Sequence, residues 1–349
     1  MTVPPLAPPS ARPLSLARWL LAIAAMIVAM VVIGGITRLT ESGLSITEWK
    51  PVTGAIPPLT DAQWAAEFER YRHSSQYALM NRGMSLEAFK HIFFWEYFHR
   101  LIGRLIGLAY ALPMLWFFAR RAVPAGYAGR LVLLLVLGGA QGGIGWLMVK
   151  SGLVDRVNVE PAMLAAHLLM ALALLAAIIW TACDMIRLAA HPEAPRARPT
   201  GLGLLALGAL FIQLFLGAIT AGLRAGFVSN SWPLMNGHFV PQGIRWWGDF
   251  WMTITSDPYL VHFLHRWWAW GTAALLALIA LRLARRGDTA PARALGGLIA
   301  LQILLGIATV LSGVALPLAV AHQGTGAILV AATVWAAHSL GRPAGREAA

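Results

Sequence analysis

The sequence predicts an all-α integral membrane protein with eight transmembrane helices in two pseudo-symmetric four-helix bundles, N and C termini cytoplasmic. Three observations carry that expectation. Of the 349 residues, 58% are hydrophobic and only 12% charged, about half the charged share of a soluble domain. Apolar runs of roughly 20 residues, the length that crosses a bilayer, recur from one end to the other. The second half of the chain also repeats motifs of the first at similar offsets, which makes internal duplication the first fold hypothesis.

Residues 1–18 contain Arg12, Arg18 and several prolines. With no cleavage pattern behind the first apolar run, they are expected to be a cytoplasmic tail. Spans are expected at 19–38, 97–118, 130–149 and 161–182, forming an N-terminal half over 19–182. A cytoplasmic linker, 183–202, leads to spans at 203–222, 259–281, 294–313 and 319–340. These form a C-terminal half over 203–340, and a tail at 341–349 follows. Basic residues gather in alternate connections: Arg120, Arg121 and Arg130; Arg187, Arg196 and Arg198; Arg282, Arg285, Arg286 and Arg293; Arg342 and Arg346. By the positive-inside rule these lie in the cytoplasm.

The net charge of +12 therefore reflects topology. It forms no contiguous patch for nucleic acid. The lone Cys183 provides neither a disulfide framework nor a thiolate metal site. The first connection, 39–96, is expected to be external. Within it, Asp61 opens an amphipathic stretch to about Tyr71, and Ser85 is placed to cap another. The aromatics Trp64, Phe68, Tyr71, Phe89, Phe93 and Trp95 suit helices lying at the membrane surface, or a lid over an external site.

The repeat is read from four pairs. Glu96-Tyr-Phe-His99-Arg100 returns as His262-Phe-Leu-His265-Arg266. Gln141-x-x-x-Gly145 returns as Gln302-x-x-x-Gly306, Gly34-Gly-Ile-Thr37 as Gly217-Ala-Ile-Thr220, and His167 as His322. Four spans per half is an even number, so the pseudo-two-fold axis should run along the membrane normal.

His99, His167, His262, His265 and His322 all fall near the external ends of their spans. One histidine in a span usually does no more than hydrogen-bond a neighbouring helix. Four at repeat-related positions and similar depth instead suit two clamps for planar ligands inside a bundle. Imidazole serves iron, zinc and copper, and without a cysteine or second carboxylate at either pair, haem is favoured over zinc. His99 with His167 would hold one haem, and His265 with His322 the other. Arg100, Arg104 and Arg266 are then candidates for the acidic propionates; the alternative is snorkelling to the interface. Glu96 lies three residues before His99 on one helical face, where the second half has His262. A carboxylate there can move a proton or orient a water, or simply pair with Arg100.

These residues carry a resemblance. The run Gly35-Ile-Thr-Arg-Leu-Thr-Glu-Ser-Gly-Leu-Ser-Ile-Thr-Glu-Trp-Lys-Pro-Val-Thr-Gly-Ala-Ile-Pro-Pro58, followed by Phe94-Trp-Glu-Tyr-Phe-His-Arg-Leu-Ile-Gly-Arg104, resembles the haem A synthase family in its proteobacterial and mitochondrial branch. The resemblance implies oxidation of a haem O methyl group to a formyl group by successive hydroxylations, yielding haem A for cytochrome oxidase assembly. It implies a haem O site at His99 and His167, a resident haem b at His265 and His322, and Glu96 as the catalytic residue. His262 stands where close relatives are expected to have glutamine, which suggests a supporting position behind the haem ligand. Another branch has a cysteine pair in an external loop; here Trp232-Pro-Leu-Met-Asn-Gly237 has none.

Haem O synthase and cytochrome oxidase assembly factors are the implied partners, with membrane lipid around the spans. The short tail lacks an Arg/Ser-rich amphipathic segment, so a bacterial inner (plasma) membrane is expected. The competing expectation is a non-catalytic two-haem cytochrome b moving electrons. A parallel-repeat transporter is weaker still, because no span is interrupted at its midplane.

Overall fold

A computed structural model describes residues 11–51, 53–153, 156–193 and 195–343. The expectations for residues 1–10, and for Arg346 in the C-terminal tail, fall outside the described residues. Those residues contain eleven α-helices and no strand: α1 (Pro13–Leu39), α2 (Asp61–Arg72), α3 (Ser75–Leu79), α4 (Leu86–Ala119), α5 (Ala128–Leu153), α6 (Pro161–Ala190), α7 (Gly201–Gly222), α8 (Phe250–Ser256), α9 (Pro258–Arg285), α10 (Thr289–Leu311) and α11 (Leu316–Leu340). All except α2, α3 and α8 are long and apolar enough to cross a membrane, eight among the described residues.

Local chemistry explains where the long helices start. Proline sits in the first two positions of α1, α6, α9 and α11, where its fixed φ suits a helix and its missing N–H costs nothing. Glu160 caps α6 by accepting the Ala162 and Met163 N–H groups, and Asp257 caps α9 by accepting that of Leu260 at 2.8 Å. Pro13 starts α1 six residues ahead of the expected span. At the other end α6 runs on to Ala190, well into the stretch expected to be linker.

The largest departure from expectation is α4. Ser85 caps it by accepting the Ala88 N–H at 3.2 Å, but no break separates this start from the span. The segment expected to be a second surface helix is the first part of one 34-residue helix. At 1.5 Å per residue that is about 51 Å, against roughly 30 Å of hydrocarbon. The N-terminal turns therefore project beyond the bundle. There α2 and α3 pack on them, burying Tyr71, Phe89 and Phe93 with Trp64 and Phe68 alongside. These aromatics build a small core of their own and do not lie out on a lipid surface. Ring contacts such as Tyr71 on Phe89, centroids 5.2 Å apart, stitch it together.

The spans form two rings. In the first, α1 touches α4 and α6, and α5 touches α4 and α6. In the second, α7 touches α9 and α11, and α10 touches α9 and α11. The rings meet through α1–α11, α6–α7 and α6–α11, a set that maps onto itself when the halves are exchanged. At the end carrying the long connections, Glu41 and Arg224 pair at 2.5 Å. Both have positive φ, 55° and 54°, and they stand at the spacing that relates Gly34 to Gly217. A residue meets its own repeat equivalent only beside the symmetry axis. Arg38 reinforces the junction by donating to the carbonyl oxygens of Ala221 and Gly222, at the negative end of α7.

The main apolar core fills the opposite, terminal end of the bundle, around Leu16, Leu20, Phe117, Leu131, Leu175, Leu283 and Leu340. Embedded in it is a charged cluster. Asp184, expected in the linker, is 3% exposed. It accepts from Arg130 at 2.7 Å and faces His338 Nε2 at 3.0 Å. One carboxylate thus joins α5, α6 and α11, which satisfies a charge too costly to bury alone.

Candidate functional site

Three elements of the first half assemble around Glu96. It lies on α4, 2% exposed, with its carboxylate turned to the connection that follows α1. Oε2 accepts from Ser45 Oγ at 2.8 Å and from the Ile46 backbone N–H at 2.7 Å, and Oε1 accepts from Arg100 Nη2 at 2.5 Å. Arg100 also donates to the carbonyl oxygens of Ile46 and Glu48. One turn on, Arg104 donates to those of Lys50 and Pro51 at 2.9 Å each. Tyr97 OH adds a bond to Ala55 O at 2.8 Å. The Ser45–Pro51 stretch of the motif is thus held against α4 by side chains spaced three or four residues apart, the spacing that shares a helical face.

The second half repeats the device with different chemistry. Arg266 donates Nε to His262 Nε2 at 3.0 Å and its terminal nitrogens to the carbonyl oxygens of Ser231 and Ser229, at 2.8 and 3.2 Å. The arginines expected to meet acidic haem edges therefore spend their donors on loop backbone. Only Arg104 keeps a buried nitrogen, Nη1, without a partner among the described residues. His262, 2% exposed, is bound to Arg266.

The four remaining histidines pair as the repeat predicts. The ring centroids of His99 and His167 are 6.5 Å apart, and those of His265 and His322 are 6.4 Å apart. Two imidazoles on opposite faces of one metal, each at a metal–nitrogen distance of about 2.0 Å, place their centroids about 6 Å apart. Both pairs fit that span. Among the described residues no three His, Cys, Asp or Glu side chains group to hold a metal ion, so each pair could offer a metal two facing ligands at most, with the rest left to a bound group. A planar tetrapyrrole does this.

Each histidine also packs on a glycine of the adjoining helix: His99 on Gly34, His167 on Gly145, His265 on Gly217 and His322 on Gly306. A Cβ at Gly145 or Gly217 would lie 2.8 Å from the imidazole Cε1. These glycines are needed for close approach of ring to backbone. Four residues before three of them stands a glutamine whose amide donates to the histidine's own carbonyl oxygen. The distances are 2.9 Å from Gln141 to His167, 3.0 Å from Gln213 to His265 and 3.1 Å from Gln302 to His322. The Gln213-x-x-x-Gly217 copy is plain in the sequence once the other two are aligned with it, yet repeat matching alone passes it over.

A cavity of about 400 Å³ lies beside this region, under α2. Glu48, Lys50, Arg70, Tyr97, Arg100 and Arg104 line it, and none of the four histidines does. Lys50 bonds Glu48 at 2.5 Å and holds that carboxyl below its usual range, while the ammonium is raised in return.

Comparison with known proteins agrees over nearly the full length. A family model described as cytochrome oxidase assembly protein matches residues 17–334. A protein of Sphingopyxis alaskensis named Heme A synthase is 56% identical over 331 residues, covering 95% of this chain and 93% of its own. Proteins of the same name from Novosphingobium aromaticivorans and Erythrobacter litoralis are 53% and 52% identical, covering 94% and 96% of this chain and 95% and 100% of their own. With paired histidines, glycine cradles and the Glu96 loop all in one matched region, this chain belongs to the cytochrome oxidase assembly protein family.

Proposed function

We propose that this protein is a haem A synthase of the bacterial inner membrane, converting the methyl group of haem O to the formyl group of haem A. The observation that carries the proposal is an asymmetry between two otherwise matched sites. Each site has a facing pair of imidazoles over glycine, but only the first has a buried carboxylate, Glu96, one helical turn from a ligand. A two-haem electron-transfer cytochrome b would use both pairs but has no need of Glu96. All four histidines also lie towards one end of the bundle, which gives electrons no path across the membrane.

In this assignment residues 19–182 form the substrate half, where His99 and His167 hold haem O. Residues 203–340 form the second half, where His265 and His322 would hold haem b. Bound there, haem b would supply one-electron relay chemistry. By the positive-inside argument the histidine end faces away from the cytoplasm.

The first half's own residues do three things. The two imidazoles and their glycines position the substrate ring. Arg104, with Nη1 still unpaired, is the cation available to a propionate; Arg100 and Arg266 hold loops. Glu96 Oε2 is committed to Ser45 and Ile46, so Oε1, shared with Arg100, is the atom that exchanges a proton during the hydroxylations and the loss of water that leaves the formyl group. Arg100 holds that oxygen in place.

The test is haem extraction from membranes of a host that makes haem O but not haem A, expressing this protein. Haem A or its hydroxylated precursor is expected. Haem O alone would overturn the proposal.

A further inference from the structure

Three of the four ligand histidines are braced and one is not. At His167, His265 and His322 the ring presents its Cε1 edge to the glycine, and a glutamine one turn away donates to the histidine carbonyl oxygen. Gln141 and Gln213 also lie 3.1 Å from the ring Nδ1. In all three glutamines Oε1 is buried without a partner among the described residues. Each amide nitrogen thus ties its histidine to the adjoining helix, while the amide oxygen stays unspent. Hydrogen-bonded support of this kind fixes the orientation of a metal-bound imidazole.

His99 lacks the glutamine. Its ring lies against Gly34 as the others lie on their glycines, its nearest atom 3.3 Å from a Cβ built there. Four residues before Gly34 the chain has Met30, at the place Gln213 holds before Gly217. A thioether donates nothing and is a weak acceptor. Met30 instead reaches α4 one turn below His99, where its Cε lies 3.4 Å from a Cβ built on Gly103.

We propose that Gln141, Gln213 and Gln302 are positioning residues that lock His167, His265 and His322, and that Met30 leaves His99 as the one displaceable ligand. The substrate site then holds its haem by one fixed and one releasable imidazole, while the second site holds its haem by two fixed ones. This rests on the haem sites assigned above. It goes beyond them in naming which ligand yields and which residue decides it.

The experiment is carbon monoxide binding to the reduced, haem-loaded full-length protein, followed by optical difference spectra with haem content measured on the same samples. Wild type and the Met30→Leu control should bind carbon monoxide at one of two haems. Met30→Gln should keep both haems and slow that binding about 10- to 100-fold, the usual weight of a ligand's hydrogen-bonded support. Gln213→Met should keep both haems and open the second to carbon monoxide. If Met30→Gln binds as fast as Met30→Leu, or Gln213→Met leaves the second haem inert, the inference is overturned while the haem assignment stands. A wild-type protein that takes up no haem overturns both.

Discussion

Arg100 and Arg266 occupy equivalent places on α4 and α9, and each reaches back to the backbone of the loop that follows the preceding span. Arg100 holds Ile46 and Glu48, and Arg266 holds Ser229 and Ser231. They differ in the residue one turn earlier: Glu96 beside Arg100 and His262 beside Arg266. The clamp is therefore common to both halves and belongs to the fold, whereas the carboxylate belongs to one half and, under the proposed function, marks its chemistry. The two halves share the scaffold and differ at a few polar positions, this one among them.

The strongest challenge to this comparison is His265→Ala. It should remove one haem per chain and its b-type spectrum, leaving the first site loaded; an unchanged spectrum would break the pairing. Next is Glu96→Ala. Turnover should stop with both haems retained, and stripping Arg100 of its one carboxylate and the Ile46 N–H of its acceptor should cost about 3 kcal/mol. A fall in Tm and faster hydrogen exchange at Ile46 would report this. His262→Ala takes one acceptor from Arg266 and leaves two, so its cost should be smaller, about 1–2 kcal/mol. Equal losses would show that the two clamps do not differ as described.

Alanine at the glycine cradles sharpens the comparison further. A Cβ at Gly217 would sit 2.8 Å from His265, and one at Gly34 3.3 Å from His99. Gly217→Ala should therefore lower haem occupancy more than Gly34→Ala, as read by haem per chain. The smallest effect is expected at the axis. Glu41 and Arg224 are partly exposed, at 26% and 44%, so Glu41→Arg should cost less than about 1 kcal/mol. Exchanging both charges should restore it, as measured by Tm in a double-mutant cycle.

Much of this molecule can be read from residue types and spacing. The eight spans follow from long apolar runs, since only a helix satisfies its backbone without water. The four histidines and Glu96 stand out because polar residues inside spans are rare, and the repeat is visible in the motifs themselves. Tertiary structure decided the hydrogen-bond partners. Arg100 finds Ile46 54 residues away, and Asp184 finds His338 154 residues away. Neither pairing has a sequence period, because helix crossings and not spacing bring them together. The same holds for α4, where the aromatic packing of α2 and α3 accompanies one unbroken helix beyond the expected span. It holds too for Met30, an ordinary apolar residue in the sequence, whose place opposite Gln213 acquires meaning only when both histidines are seen lying on their glycines.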